Sequence, residues 1–288
     1  MKKIALATSR KFGVLTDDDQ LLIEPLKRQD IQAKPAVWSD SAVGWLECDA
    51  VIIRSCWDYH LCLPEFFAWI AALEAAGVRL LNSPETIRWN ANKTYLRDLE
   101  RRGIPIVPTF WPEKRVNLTE VLRTRGWEHA VVKPRVSATA HRTMLISAED
   151  AEQGQALLDD LLAGPGVMVQ RFMDTIQTEG EWSLIFFAGK FSHAVIKTPK
   201  AGDFRVQHDF GGAERRAEPS CEILESAKKA IKVLDSVPLY ARVDGVESDG
   251  QFLLMELELI EPALFLGMSP EAPGCFARAI LQSLRRAD

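Results

Sequence analysis

Cysteine is scarce in this 288-residue sequence, and its five cysteines form neither an even set nor a C-x-x-C pair. This pattern argues against a disulfide framework or a zinc site and is typical of a reducing compartment. Long apolar runs are missing as well, because none reaches the roughly 20 residues that a membrane-spanning helix needs. The apolar start of the chain is only about five residues long, too short for a signal peptide. The sequence therefore predicts a cytoplasmic protein without a membrane partner.

An excess of basic residues is also absent, because 35 Lys and Arg residues face 40 Asp and Glu residues. Nucleic-acid-binding proteins carry basic patches, so no nucleic-acid partner is expected. The sequence contains neither a G-x-x-x-x-G-K-[ST] P-loop nor a G-x-G-x-x-G motif after its first strand, which excludes two common signatures of nucleotide binding. Hydrophobic residues make up 47% of the chain, enough for a large core and more than one subdomain.

The order of apolar segments predicts three regions. Residues 1–90 alternate strand and helix patterns, which indicates βαβ units and a parallel sheet. A helical link over residues 82–103 crosses into the second region, residues 91–168, which continues with strands on both sides of a polar loop. Residues 169–288 contain two β-hairpins and two helices. The predicted fold class is therefore α/β, with α+β character in the C-terminal half.

Residues 252–262, FLLMELELIEP, combine the apolar pattern of a buried strand with acidic residues. Because side chains alternate along a strand, Glu256 and Glu258 share a face. If the hairpin turn is centred on Gly250, Asp244 lies opposite Glu256 and three acids meet. Like charges across a strand pair are destabilising, and Mg²⁺, which prefers carboxylate oxygens, removes that penalty. The alternative, which the residues leave open, is a solvated strand face with alternating acids.

Two lysines and one loop are candidates for binding phosphate. Lys133 ends the apolar strand VVKP, where its side chain can point inward at an anion. Lys93 opens the helix NANKTYL beside backbone N–H groups that favour anions. The loop RVSATAH supplies Ser137 and Thr139 with small residues between them, so its backbone can approach a phosphate closely. The alternative for either lysine is an ordinary solvated surface group.

The order of the motifs resembles the ATP-grasp superfamily. Along the chain stand WNANKTYL, VVKP, the small-residue loop, MVQRFM, GEWS, IKTPKAGDFR, RVDG and MELELIEP. Within the superfamily the sequence resembles prokaryotic glutathione synthetase and, more closely, the O-ureidoserine cyclo-ligases of cycloserine biosynthesis. The resemblance implies an ATP-grasp fold in three parts. An N-terminal α/β substrate-side domain (pre-ATP-grasp) would span 1–90, a small lobe with the phosphate loop 91–168, and a C-terminal lobe with the metal and substrate site 169–288.

The resemblance also implies roles for individual residues. The backbone of residues 170–173 would read adenine, and Glu181 would bind the ribose hydroxyls. The ATP-binding residues would be Lys93, Lys133, Ser137, Thr139, Gln170, Arg171, Phe172, Met173 and Glu181. The metal ligands would be Asp244, Glu256 and Glu258. The catalytic cations beside the transferred phosphoryl group would be Lys197 and Arg205.

The sequence departs from the glutathione synthetase pattern in two places. Ser183 stands where that enzyme has an arginine, a residue that clamps carboxylates bidentately. The glutathione-type substrate is therefore not carried over to this chain. The phosphate loop also lacks the usual glycines, because Ser137 and Ala138 take their places.

Further candidates for substrate binding follow the strand IIRSCWDY, because ligands of open α/β sheets bind beyond the carboxyl ends of strands. Arg54 is a candidate to bind a substrate carboxylate, and Asp58 to bind an ammonium group. Tyr59 and His208 are candidates to line the same site. In the alternative, Arg54 and Asp58 pair with each other while the aromatic residues cover the core.

The resemblance implies an ATP-dependent ligase that uses two Mg²⁺ ions. It would activate a carboxylate as an acyl phosphate and join it to an amine-type nucleophile, or close a ring within one amino-acid derivative. The alternatives are an ATP-grasp small-molecule kinase and a nucleotide sensor without turnover. The expected partner is a small amino-acid-like substrate, and related enzymes that form dimers make a homodimer a further expectation.

Overall fold

A parallel sheet organises the first part of the chain, and the computed structural model describes residues 1–200, 202–206 and 210–285. The elements of this part are β1 (Lys2–Thr8), α1 (Asp17–Gln20), α2 (Ile23–Lys27), β2 (Ile31–Val37), β3 (Ala50–Ser55), α3 (Leu63–Ala75) and β4 (Arg79–Leu81). The strand order is β2-β1-β3-β4, and all three pairs are parallel. The βαβ pattern predicted for residues 1–90 is confirmed.

A four-stranded antiparallel sheet forms the middle of the chain. Its elements and the preceding helices are α4 (Pro84–Asn90), α5 (Tyr95–Arg101), β5 (Thr109–Phe110), α6 (Leu118–Arg125), β6 (His129–Pro134), β7 (Met144–Ser147), α7 (Ala151–Ala163) and β8 (Val167–Arg171). The helical link predicted over 82–103 is two helices. At the break between them the backbone N–H of Lys93 donates to the carbonyl of Arg135 at 2.8 Å, which ties the link to the loop after β6.

A five-stranded antiparallel sheet dominates the last part of the chain. Its elements are α8 (Thr175–Thr178), β9 (Glu181–Phe187), β10 (Lys190–Thr198), β11 (Ala213–Ala217), α9 (Cys221–Lys232), β12 (Tyr240–Ser248), β13 (Gln251–Glu258) and α10 (Ala272–Arg285). The strand order is β11-β10-β9-β12-β13. Both predicted hairpins, β9–β10 and β12–β13, are confirmed. The domain boundaries 90/91 and 168/169 stay a prediction; the second falls inside β8.

Helix α10 connects the last part of the chain to the first. Its Phe276 belongs to the same buried cluster as Ile4 and Leu6 of β1 and Tyr240 of β12. The Phe276 ring also stacks on Phe187 of β9, with 4.6 Å between the ring centroids. Burying such a side chain contributes about 1.5–3 kcal/mol, so this helix fixes the parallel sheet against the five-stranded one. None of the helices in the described ranges has the length and apolar character that crossing a bilayer requires.

The chain beyond β13 is irregular, yet side chains from distant elements hold it in place. We call residues 259–263 the anchored segment, because each of its five carbonyl groups accepts a hydrogen bond from a side chain. In order from Leu259 to Ala263, the donors are Asn82 (2.8 Å), Tyr240 (2.8 Å), Trp57 (2.9 Å), Arg54 (2.8 Å) and Arg242 (3.1 Å). These bonds satisfy backbone groups that lack a sheet partner and therefore fix the path of the chain beside the cleft described next.

Candidate active site

A cleft lined by both antiparallel sheets and by residues that follow β3 brings most of the predicted site residues together. Those that line it are Lys93, Lys133, Ser137, Thr139, Gln170, Arg171, Phe172, Met173, Glu181, Lys197, Arg205, Asp244, Glu256, Glu258 and Tyr59. Arg54 and Asp58 do not line it. His208 lies outside the residues that the structure describes.

The hairpin β12–β13 brings together the residues that the sequence predicts, but its turn is not centred on Gly250, because Ser248 pairs with Gln251. Asp244 pairs with Glu256, and Arg242 pairs with Glu258. A register shift follows directly after Asp244, at Gly245. A Cβ atom on Gly245 would lie 2.5 Å from the carbonyl oxygen of Leu253, which explains why the RVDG motif ends in glycine.

Each predicted metal ligand is paired with a cation. The Lys93 ammonium lies 2.9 Å from Glu256 and also donates to the carbonyl of Ser137 at 2.8 Å. The Arg242 guanidinium reaches both Asp244, at 2.9 Å, and Glu258, at 2.5 Å. Lys93 therefore ties the link between α4 and α5 to the acidic face, whereas Arg242 belongs to the hairpin itself.

Lys197 joins a fourth acid, Glu181, to this cluster. Its ammonium lies 2.5 Å from Glu181 and 3.4 Å from Asp244, and all three side chains are buried. Asp244 also accepts a hydrogen bond from the hydroxyl of Ser183 at 2.5 Å. Buried pairs of this kind are stable only when the remaining charges are also satisfied, so the network couples β9, β10 and β12.

Burial and neighbouring charges shift the carboxyl pKa values in opposite directions. At Glu256 burial opposes ionisation, but the positive charges of Lys93 and Lys133 outweigh it, and the pKa of Glu256 lies below its usual value. At Glu258 burial outweighs the attraction of Arg242, and the pKa rises to about 7. Burial raises the pKa of Glu261 well above its usual value, and repulsion from Glu258 adds to the rise. The cleft thus compensates negative charge well at Glu256 and poorly near Glu258 and Glu261.

The acidic hairpin face fits Mg²⁺ by its donor atoms. Its three predicted ligands are all carboxylates, and Mg²⁺ binds through one or two carboxylates, waters and phosphate oxygens. Within the described ranges no group of three or more Asp, Glu, His or Cys side chains is arranged to hold a metal ion. A metal ion on this face would therefore displace the lysine and arginine partners and take its other ligands from water or substrate.

The segment after β8 combines an apolar wall with an unpaired backbone donor. The N–H of Arg171 donates to the carbonyl of Pro108 at 2.8 Å, and the N–H of Phe172 donates to that of His129 at 3.1 Å. The N–H of Met173 donates to no backbone carbonyl among the described residues. Phe172 and Met173 are buried and line the cleft.

The loop between β6 and β7 reaches left-handed backbone conformations without glycine. Thr139, Ala140 and Arg142 have φ values of 49°, 54° and 53°. Such values are uncommon outside glycine. Ser137 is buried and gives its carbonyl to Lys93, whereas Thr139 is exposed. Lys133, at the end of β6, donates to the side-chain oxygen of Gln170 at 3.0 Å.

Arg205 lies on the cleft wall away from the acid network. Its guanidinium forms two bonds with Asp203, of 3.0 and 2.8 Å, and lies 3.7 Å above the centre of the Phe210 ring. The side chain remains one-third exposed. In this state Arg205 is paired with its own neighbour, so contact with a phosphoryl group requires it to leave Asp203.

The structure corrects the prediction that Arg54 and Asp58 bind substrate. Arg54 is fully buried, where it pairs with Asp19 at 2.9 Å and holds the carbonyl of Pro262. Asp58 accepts a hydrogen bond from the indole N–H of Trp38 at 2.8 Å. The alternative pairing of Arg54 with Asp58 is also wrong. Arg54 therefore supports the anchored segment from behind, whereas Tyr59 does line the cleft.

Replacing Arg54 by methionine is expected to destabilise the protein by about 3–5 kcal/mol, because it leaves the buried Asp19 carboxylate without its cation. Urea denaturation followed by circular dichroism measures the change. The exposed Arg28 provides a matched control, and Arg28→Met should stay within about 0.5 kcal/mol of the wild type. Adding Asp19→Asn to Arg54→Met should recover part of the loss. Equal stability of Arg54→Met and the wild type would contradict the buried pair.

Sequence reasoning missed three charged residues of the cleft, Glu214, Arg242 and Glu261. Arg242 stands two positions before Asp244, so strand alternation places both on one face, and this spacing was an available signal. Glu261 follows the end of β13, where alternation no longer applies. Its place in the cleft depends on the side chains that hold the anchored segment, which no local pattern reveals.

The fold and the cleft define the chain as an ATP-grasp ligase, an ATP-dependent enzyme that forms C–N bonds. The D-alanine–D-alanine ligase of Bacillus anthracis complexed with ATP matches the fold with a TM-score of 0.68 at 17% identity, over 100% of this chain and 98% of that one. The cycloserine biosynthesis protein DcsG of Streptomyces lavendulae is 30% identical over 98% of this chain and 99% of its own length. The chain therefore belongs to the DcsG family.

Two further comparisons agree with this family. The crystal structure of D-cycloserine synthetase DcsG matches with a TM-score of 0.89 at 28% identity, over 98% of this chain and 99% of that chain. Residues 4–82 match the family model described as D-cycloserine synthetase DcsG, N-terminal domain. The glutathione synthetase of Prochlorococcus marinus (strain MIT 9313) is 30% identical over 66% of this chain and 59% of that protein. Both predicted resemblances are confirmed.

Proposed function

We propose that this ligase activates the carboxylate of an amino-acid derivative as an acyl phosphate and closes a ring by attack of a nitrogen in the same molecule. The observation that carries the proposal is the single cleft that joins Lys133, Lys197 and Arg242 to the acidic face of one hairpin. DcsG is described as a cycloserine biosynthesis protein and as D-cycloserine synthetase, and the relationship of this chain to DcsG supports ring closure. O-Ureidoserine is the substrate that we propose to test first.

The nucleotide would lie across the two antiparallel sheets. We propose that the free N–H of Met173 binds the adenine ring, which Phe172 and Met173 enclose. Glu181 would accept the ribose hydroxyls once Lys197 turns to the phosphates. Lys93, Lys133 and the backbone of the loop that carries Ser137 and Thr139 would hold the phosphate chain, together with Gln170 and Arg171 as further contacts.

The acidic face would hold two Mg²⁺ ions through Asp244, Glu256 and Glu258. Bound there, the ions supply positive charge that neutralises the triphosphate. The protein cations now paired with these acids would then be released toward the substrate. Arg242 and Lys197 would turn from Asp244 to the transferred phosphoryl group, and Arg205 would join them from Asp203. On the acidic face each exchange replaces an ion pair by a metal contact, whereas Asp203 would be left to solvent and Glu181 to the ribose hydroxyls.

The chemistry needs two steps. A carboxylate oxygen of the substrate attacks the γ-phosphorus of ATP, the bond to the bridging oxygen breaks, and ADP leaves. The substrate nitrogen then attacks the acyl carbon, loses a proton, and expels phosphate. Catalysis of the first step rests on positioning and on neutralising charge, which the cationic residues supply. The second step requires a site that excludes water, because acyl phosphates hydrolyse.

ADP release in the presence of Mg²⁺ tests the function. The assay covers O-ureidoserine, free amino acids and dipeptides, each with phosphate analysis and mass spectrometry of the products. A ligase yields ADP, free phosphate and a cyclic or amide product. A stable phosphorylated compound would identify a kinase instead, and nucleotide binding without turnover would identify a sensor.

We also propose a cellular location for the protein. All five cysteines are free thiols, which supports a cytoplasmic protein that acts on a small molecule. The homodimer stays a prediction. Size-exclusion chromatography with light scattering checks it against the monomer mass of 32.3 kDa.

A further inference from the structure

One carboxylate in the cleft lacks a cationic partner. Glu261 lines the cleft, but its carboxylate forms neither a hydrogen bond nor an ion pair with any residue that the structure describes. The other cleft acids of the network, Glu181, Asp244, Glu256 and Glu258, each have a lysine or an arginine within 3.4 Å. An uncompensated carboxylate in a partly buried site is costly. Binding a cation from outside the protein is therefore more favourable at Glu261 than at the cleft acids that already have a cationic partner.

The position of Glu261 is fixed by its backbone. The carbonyl of Glu261 accepts a hydrogen bond from the indole N–H of Trp57 at 2.9 Å, and the next carbonyl, of Pro262, accepts one from Arg54 at 2.8 Å. The preceding carbonyl, of Ile260, is bound by the hydroxyl of Tyr240. The carboxylate is therefore presented by a rigid segment, although that segment is neither helix nor strand. Such rigidity suits a group that selects a ligand.

A second unsatisfied polar group lies in the same corner. Tyr59 is only 4% exposed and lines the cleft, yet its hydroxyl has no hydrogen-bond partner among the described residues. Burial, and next the negative charge of Glu261, raise the pKa of the Tyr59 phenol well above its usual value. The hydroxyl oxygen is not among the fully buried side-chain atoms that lack a partner, so a ligand in the cleft can reach it. The corner thus offers a carboxylate and a hydroxyl oxygen to a donor that the protein does not supply.

We propose that Glu261 and Tyr59 bind the ammonium group of the amino-acid substrate. An ammonium group brings three donors and one positive charge, which match the two oxygens and the charge of this corner. Glu261 also lies three residues beyond Glu258 on the same chain segment. In an α-amino acid the ammonium nitrogen and the carboxylate are joined through a single carbon, so a carboxylate held for phosphorylation brings the ammonium group close to this region. Glu261 thus takes the role that sequence reasoning assigned to Asp58.

This assignment rests on the proposed function, and paired substrates test it. Wild type and Glu261→Gln are titrated with O-ureidoserine and with its analogue that lacks the amino group, in the presence of Mg²⁺ and ADP. D-Alanine and L-serine, each paired with its deaminated acid, extend the series. Binding is measured by calorimetry and turnover by ADP release. Glu271→Gln provides the matched control, because Glu271 is exposed on the protein surface.

The wild type should bind the amino form at least about tenfold more tightly than the deaminated form, as expected for a charge-assisted contact. Glu261→Gln should lose that preference by weakening the amino form alone, and Tyr59→Phe should reduce it by a smaller factor. Mg²⁺ and ADP affinities should be unchanged in both variants, and Glu271→Gln should behave as the wild type.

Four results would overturn the assignment. The first is an unchanged preference for the amino form in Glu261→Gln, the second is no preference in any pair that the wild type binds, and the third is the absence of any binding. The fourth is a loss of Mg²⁺ affinity in Glu261→Gln, which would make Glu261 a metal ligand. Failure of the proposed function would give a different result: the amino form would still bind through Glu261, but no ADP would be released.

Discussion

Replacing Glu256 by glutamine is expected to lower ATP-dependent turnover by about 10³-fold, the scale of losing one charge-stabilising group in a preorganised site. The substitution keeps the size of the side chain but removes the negative charge on the face proposed for Mg²⁺. It also leaves the buried ammonium of Lys93 without its carboxylate, so thermal stability should fall as well. Because of this second effect, turnover is measured well below the unfolding temperature of the variant.

The same hairpin provides the control. Glu247 lies on β12 outside the cleft, so Glu247→Gln should retain the turnover and the stability of the wild type. Calorimetric titration with Mg²⁺ and ADP should show weakened binding for Glu256→Gln alone. Full turnover by Glu256→Gln would show that the acidic face does not bind the catalytic metal, and the assignment of Asp244 and Glu258 would fall with it.

Replacing Lys133 by methionine is expected to lower turnover by about 10²–10³-fold without loss of stability. Lys133 contacts only the neutral Gln170 directly, and burial lowers the pKa of its ammonium group. Removing a charge that burial disfavours offsets the loss of the attraction that Lys133 exerts on Glu256, so the melting temperature should stay level. The functional loss should be large, because no other lysine among the described residues contacts Gln170 and could replace the missing ammonium group.

Lys190→Met serves as the matched control, because Lys190 is exposed at the start of β10 and should have no effect on either property. Stability is followed by thermal unfolding, and nucleotide affinity by titration with ADP and Mg²⁺. A drop in melting temperature with normal turnover would reverse the proposed role and make Lys133 a structural residue.

The parts of the site that sequence reasoning located depend on local periodicity. The pairing of Asp244 with Glu256 depends on a register shift after Asp244, but strand alternation alone places Glu256 and Glu258 on one face. The same reasoning applies to the parallel sheet, whose apolar runs and short helices alternate along the chain. These features need only neighbouring residues, so one sequence is enough to predict them.

The missed features depend on contacts between distant residues. Arg54 reads as a surface cation at a strand end, but it is buried because Asp19 and the carbonyl of Pro262 meet it there. β11 carries the polar sequence AERRA, whose strand conformation comes from pairing with β10 rather than from its own pattern. The break in the helical link follows from the bond between Lys93 and Arg135. No local propensity encodes any of these partners.

The anchored segment has a consequence for how substrate preference can change. Its backbone is held by five side chains that belong to other elements, so the residue at position 261 contributes little to holding its own loop. Under the role proposed for Glu261, exchanging that one side chain would alter which molecule is accepted while the acidic strand next to it keeps its shape. A single substitution would then change the compound that this enzyme uses and leave the energy-supplying half of the reaction intact.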